Sequence, residues 1–236
     1  FLDVDGDESA MKTTWGVMAP PLGLKRVKII DLLATLLSSY NDDVAAAVLE
    51  CKALPVCCEL FKRYPFNNFL HHHVESMITS ILEWGHPELL AHLFDAKSEG
   101  GCDVVGLVTE AAQTVDTIRG PMRAGNLGHV TRMGNKLASV AAGSLITADA
   151  GSAAAGSEGE GGGSTNDEDA VAAATTATVT TALERDARWA AHVEGNLKER
   201  NTVENVYKWS CGRPAGMDDE GAEGDSDNDE DMTRDF

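Results

Sequence analysis

The run His71-His72-His73 is the first feature of this sequence whose residue type suggests chemistry, and that chemistry is metal binding. Imidazole nitrogens are common metal ligands. Consecutive residues on a helix point about 100° apart, however, so three neighbours do not converge on one ion. A helical ligand pair calls for i, i+4 spacing, which the run lacks. One histidine is expected to be a packed polar tie and the others to face solvent. Cys57-Cys58, with Cys51 nearby, suggests zinc or a redox pair, but no Cys-x-x-Cys or His-x-x-x-His partner completes a site. These thiols are expected to be small core residues. Gly125-Asn126-Leu127-Gly128 has the outline of the Gly-x-x-Gly loop of a KH nucleic-acid module, without the strands that would frame it. Nothing in the sequence sets a nucleophile beside a base and an oxyanion site. The expectation is a chain that is not an enzyme, with no catalytic residue, no cofactor and no metal.

Charge narrows the partners. The formal net charge is −19, which argues against nucleic acid or an anionic membrane surface as ligand, since both call for a basic face. Ten carboxylates lie in the last two dozen residues: Asp218, Asp219, Glu220, Glu223, Asp225, Asp227, Asp229, Glu230, Asp231 and Asp235. Ser226 precedes Asp227-Asn228-Asp229, a context that suits an acidophilic kinase, and is the candidate phosphorylation site. No run approaches the roughly 20 apolar residues of a transmembrane helix, so no membrane insertion is expected. Five cysteines without framework spacing read as reduced thiols in an intracellular protein, cytoplasmic and also nuclear. The first residue is Phe1 rather than Met, which reads as a fragment.

The elements that would position these residues are helices. Pro65 cannot continue a helix and pushes Tyr64 out of the helical region. Asn67 or Asn68 then offers a cap. Leu70, Val74, Met77, Ile78, Ile81 and Leu82 recur at helical spacing, which predicts a long helix over 67–84. The clearest helix spans 22–40, with Leu24, Val27, Ile30, Leu33, Leu37 and Tyr40 on one face and Ile29 and Leu36 beside it. Shorter helices are expected over 44–52, 54–63 and 88–96, and a further helical stretch over 103–119. The segment that follows Gly120-Pro121 carries three glycines, each costing about 1 kcal/mol in a helix relative to alanine. It is either packed tightly at those glycines or broken.

Offsetting the chain by 44 residues lays Ile30 on Val74, Leu33 on Met77, Leu37 on Ile81 and Leu49 on Leu93. A long helix, a turn and a short helix recur, a period that suits paired helices of the armadillo or HEAT type. The fold expected is all-α: a helical-repeat solenoid with a disordered insertion and an acidic tail. The domains expected are an acidic connector at 1–20 and a helical-repeat region at 21–144. A low-complexity linker at 145–182, a C-terminal helical segment at 183–214 and a disordered tail at 215–236 complete the chain.

Three stretches also resemble a known family. They are Pro20-Pro21-Leu22-Gly23-Leu24-Lys25-Arg26-Val27, Tyr64-Pro65-Phe66-Asn67-Asn68-Phe69-Leu70-His71 with Val74-Glu75, and Gly128-His129-Val130-Thr131-Arg132-Met133-Gly134-Asn135. In order and spacing they are similar to the SAPS-domain family, the regulatory subunits of protein phosphatase 6, although Phe66 stands where that family usually has Trp. The resemblance implies a helical-repeat scaffold that binds a serine/threonine protein phosphatase catalytic subunit, directs its substrate choice and also meets ankyrin-repeat subunits. Asn67, Asn68, His71, His129, Thr131 and Arg132 are the candidate partner-binding residues. The other reading of each is a hydrogen bond between stacked helices. The alternative function is a helical-repeat adaptor for intracellular transport or other protein assembly.

Overall fold

Helix α1, Leu24–Leu37, begins after the Pro20-Pro21 break and buries Ile30, Ala34 and Leu37. The apolar face expected there is only partly inside, because Leu24, Leu36 and Tyr40 remain exposed. The Asn41 side chain accepts from the N–H groups of Asp43 and Val44 and so starts α2, Asp42–Glu50. Helix α3, Ala53–Arg63, buries Leu54, Cys57, Cys58, Leu60 and Phe61, which puts both adjacent thiols in the core. Helix α4, Asn68–Trp84, buries the whole apolar stripe from Leu70 to Leu82 that the spacing predicts. It stops at Gly85, whose φ of 74° suits a residue without Cβ. Helix α5, Pro87–Phe94, follows with His86 as its cap, and α6, Val104–Thr109, is a short buried piece.

The computed structural model describes residues 11–13, 16–18, 21–97, 101–117, 120–143 and 165–203. Within them the chain is mostly helical, with two small hairpins. Strand β1, Met11–Thr13, pairs antiparallel with β2, Gly16–Met18, inside the expected connector. Strand β3, Thr114–Thr117, pairs antiparallel with β4, Gly120–Arg123. The second hairpin corrects the helix expected over 103–119. Thr114, Val115 and Thr117 are β-branched and suit extended backbone, and Pro121 lacks the N–H a helix needs.

Helix α7, Leu127–Ala141, runs through two of the three glycines in its segment. Gly134 earns its place by contact: a Cβ there would lie 3.1 Å from Leu197 and 3.4 Å from Val108. The linker expected over 145–182 is also corrected from residue 165 onward. Residues Thr165–Arg185 form helix α8, which buries Thr175, Val179 and Leu183. Alanine is the best helix former, and those three side chains recur at i, i+4, i+8, so the run has one face to bury. Helix α9, Ala187–His192, continues through a π-helical turn, Val193–Leu197, into α10, Lys198–Val203. The linker's earlier part, the Cys211-Gly212-Arg213-Pro214 landmark, the acidic tail and Ser226 lie outside the described residues.

Three long helices lie side by side and parallel. Asp31 of α1 meets His73 of α4, and Tyr40 just past α1 meets Glu83 and Trp84 near the end of α4. Asn68 and Glu75 of α4 meet His129 of α7, Glu75 also meets Arg132, and Glu83 meets Lys136. Contacts therefore advance in the same direction along all three helices. Helices α2 and α5 pack on each other behind this row, and α8 packs across α5 and α7. Phe61, Leu70, Met77, Ile81, Leu82, Leu89, Leu93 and Leu107 are among the fully buried side chains between the layers.

Candidate functional site

The two polar stretches singled out in the sequence meet where the first half of α4 faces the first half of α7. Asn67 stays local, its side-chain oxygen accepting from the Leu70 N–H at 3.1 Å as the cap of α4. Asn68, the first residue of α4, points across to α7 and meets His129 Nε2 at 2.8 Å. The opposite ring nitrogen, Nδ1, donates to Glu75 Oε2 at 2.6 Å. With the proton on Nδ1, the Asn68 amide turned to present its NH2 completes the pair. Arg132, one turn after His129, donates from Nε to Glu75 Oε1 and from Nη2 to Glu75 Oε2, both at 2.6 Å. Three donors thus converge on one carboxylate.

The carboxylate is sheltered while the arginine is not. The Glu75 side chain is 15% exposed and that of Arg132 is 60% exposed. Burial is the largest influence on Glu75 and opposes its ionisation. The hydrogen bonds from His129 and Arg132 together outweigh it and hold the carboxyl below its ordinary range. Glu75 lies within one of the motif stretches but is not among the six predicted site residues. The signal was in the spacing, because residues 68 and 75 are i, i+7 and share one face of a helix.

The histidine run disperses as its helical geometry requires. His71 is fully buried, donates from Nε2 to the Tyr64 carbonyl at 2.8 Å, and packs edge-on against Phe61. Burial pushes its pKa down to about 4, against the Tyr64 bond that favours the charged ring and with help from nearby His129. His72 is exposed, and His73 turns sideways to lie 3.6 Å from Asp31 of α1. Thr131 is buried and donates to the Leu127 carbonyl at 3.0 Å, a bond within its own helix. Of the six predicted positions, Asn68, His129 and Arg132 are brought into one network with Glu75. Asn67 and Thr131 serve their own helices, and His71 lies beside the network, its ring tilted against that of His129 at 5.4 Å.

A second cluster has no counterpart among the sequence motifs. Arg188 of α9 reaches Asp103 at 2.9 Å, Glu110 at 2.6 Å and Asp186 at 2.6 Å, and so clips α9 to α6. Asp103 also caps α6 by accepting from the Gly106 N–H at 2.9 Å. Beside it, Asn135 and Asn201 exchange two amide hydrogen bonds of 2.8 Å across a shallow groove between α7 and α10. Among the described residues no three His, Cys, Asp or Glu side chains gather as a metal-ligand set, and no helix is long and apolar enough to cross a membrane.

Residues 41–147, which hold the whole α4–α7 network, match the family described as SAPS, SIT4 phosphatase-associated protein. Serine/threonine-protein phosphatase 6 regulatory subunit 3 of Gallus gallus is 33% identical over 146 residues, which cover 54% of this chain and 16% of that protein. The likeness to the SAPS family thus lies in this stretch. Among other relatives, human serine/threonine-protein phosphatase 6 regulatory subunit 1 is 30% identical over 140 residues, with 54% of this chain and 15% of that protein covered. Human regulatory subunit 2 is 27% identical over 166 residues, with 54% and 17% covered. The chain therefore matches about one-sixth of the length of those relatives. No solved structure matches it. All six predicted positions, and Glu75 with them, fall inside the matched stretch.

Proposed function

We propose that this chain is a regulatory, non-catalytic part of a protein phosphatase 6-type assembly. Its helices bind a serine/threonine phosphatase catalytic subunit and direct which substrates that subunit meets, with ankyrin-repeat subunits as further partners. Relatives named as regulatory subunits support the reading. The observation that carries it is the network of Asn68, Glu75, His129 and Arg132, built from two separate motif stretches inside the family match. Asn68 and Arg132 reach the surface and are proposed as partner contacts, with Asn67, His71, His129 and Thr131 holding them in place.

The helices are proposed to be successive turns of an armadillo- or HEAT-like solenoid. Asp42 at the start of α2 and His86 at the start of α5 approach to 3.8 Å and stand 44 positions apart, the same offset as the apolar pattern. The place of action is proposed to be the cytoplasm and the nucleus, and Ser226 a phosphorylated residue of the acidic segment.

Affinity capture of the tagged chain from its own cell extract, read by mass spectrometry, tests the assignment. Enrichment of a phosphatase 6-type catalytic subunit is the expected result, and its absence from a capture with folded chain overturns the assignment. Arg132→Glu separates contact from support. Capture lost with unchanged melting marks Arg132 as a contact, and capture retained removes it from the interface.

A further inference from the structure

Because α1, α4 and α7 run parallel, their N-termini open on one end of the row. None of the three carries an acidic residue in its first turn. Lys25 stands at the head of α1, and exposed Lys62 and Arg63 end α3, which leads directly into α4. Lys25 adds to the positive ends of three aligned helix dipoles, and Lys62 and Arg63 stand beside them at the negative end of α3, which they more than offset as full charges.

The same end holds large apolar side chains in water. Leu24 and Phe69 are each 74% exposed, Met122 is 43% exposed and Phe66 is 41% exposed. Leu24 is the first residue of α1, Phe69 the second of α4, Phe66 precedes the cap of α4, and Met122 lies on the hairpin that leads into α7. The entry segments of α4 and α7 pack closely. A Cβ on Gly125 would lie 2.9 Å from the Pro65 carbonyl oxygen and 3.4 Å from the Phe66 ring. At the head of α7, Asn126 is 7% exposed, makes no cap, and its side-chain oxygen has no hydrogen-bond partner. A single exposed aromatic is ordinary, but aromatic and aliphatic anchors among cations on one end are the composition of a protein interface.

We propose that this end of the row docks a partner segment in which an acidic side chain adjoins a bulky apolar one. The apolar residue covers Phe66 and Phe69. The carboxylate faces Lys25, Arg63 and the helix ends, where a neutral or basic segment gains nothing or is repelled. The inference concerns the chemistry of the docked segment and does not rest on the phosphatase reading.

Selection of random peptides displayed on phage, against the full chain, tests it directly. The expected winners carry Asp or Glu beside Leu, Ile or an aromatic residue, and their retention weakens as salt rises. Phe69→Ser and, separately, the pair Lys25→Glu with Arg63→Glu lie at exposed positions. Each is expected to leave the melting curve unchanged while lowering retention of the winners about tenfold. No enrichment, winners without acidic residues, or equal retention by the folded variants would overturn the proposal.

Discussion

Replacing Glu75 with glutamine keeps the shape of the side chain and removes the charge on which three donors converge. In the parent, His129 Nδ1, Arg132 Nε and Arg132 Nη2 each sit 2.6 Å from a Glu75 oxygen. A glutamine has one acceptor oxygen, so its NH2 must confront at least one of those donors. The cost comes mainly from the buried half of the network. The His129 side chain is 8% exposed, and a hydrogen bond to a charged group in such a place contributes about 1.5–3 kcal/mol. The Arg132 half is open to water at 60% exposure and adds only about 0–1 kcal/mol. Glu75→Gln is thus expected to destabilise the chain by about 2 kcal/mol, or about 4–8 °C in Tm. Arg132→Ala is expected to cost about 0.5 kcal/mol by the same reasoning. Thermal melts followed by circular dichroism at one protein concentration measure both. If Arg132→Ala costs as much as Glu75→Gln, the buried histidine bond is not the centre of the tie.

Three other expectations follow from the same structure. His71 has a folded pKa of about 4 against an ordinary 6.5, so its neutral form stabilises the fold fully above 6.5 and that contribution is lost as pH falls towards 4. The loss amounts to roughly 3 kcal/mol, and urea midpoints across that range should fall less steeply for His71→Gln than for the parent. Gly85→Ala would set a Cβ 2.1 Å from Thr175 Oγ1 at a φ of 74°, and is expected to destabilise by about 2 kcal/mol. Gly128→Ala meets open space inside α7 and is expected to stabilise by about 0.5–1 kcal/mol, so opposite shifts in Tm are the check. Arg188→Met removes the common partner of Asp103, Glu110 and Asp186. It is expected to cost about 2 kcal/mol and to raise hydrogen exchange in α9 before α4.

The candidate site was legible where one helix carries the information, and obscure where two helices must meet. Pro65 and Asn67 announce the start of α4, and the stripe from Leu70 to Leu82 announces its buried face, because capping and helical period are local properties. The same period told that His71, His72 and His73 would part, as they do. Thr131 has two readings in the sequence, a partner contact or a structural hydrogen bond, and that its hydroxyl bonds a carbonyl one turn back becomes visible only when its side of α7 is seen to be buried. Arg188 carried no signal, since its three carboxylate partners come from separate places and two of them lie 78 and 85 positions away.

The helix starts, the apolar stripes and the mostly helical class were set by the sequence alone, because each depends on residues within a turn or two of one another. Tertiary structure alone decided that residues 114–123 pair as a hairpin and that the Ala/Thr run of α8 finds a face to cover. It alone decided that Glu75 answers His129 across 54 positions. Which faces meet depends on how all the stripes share one core, and a polar group learns its partner only after that packing is settled.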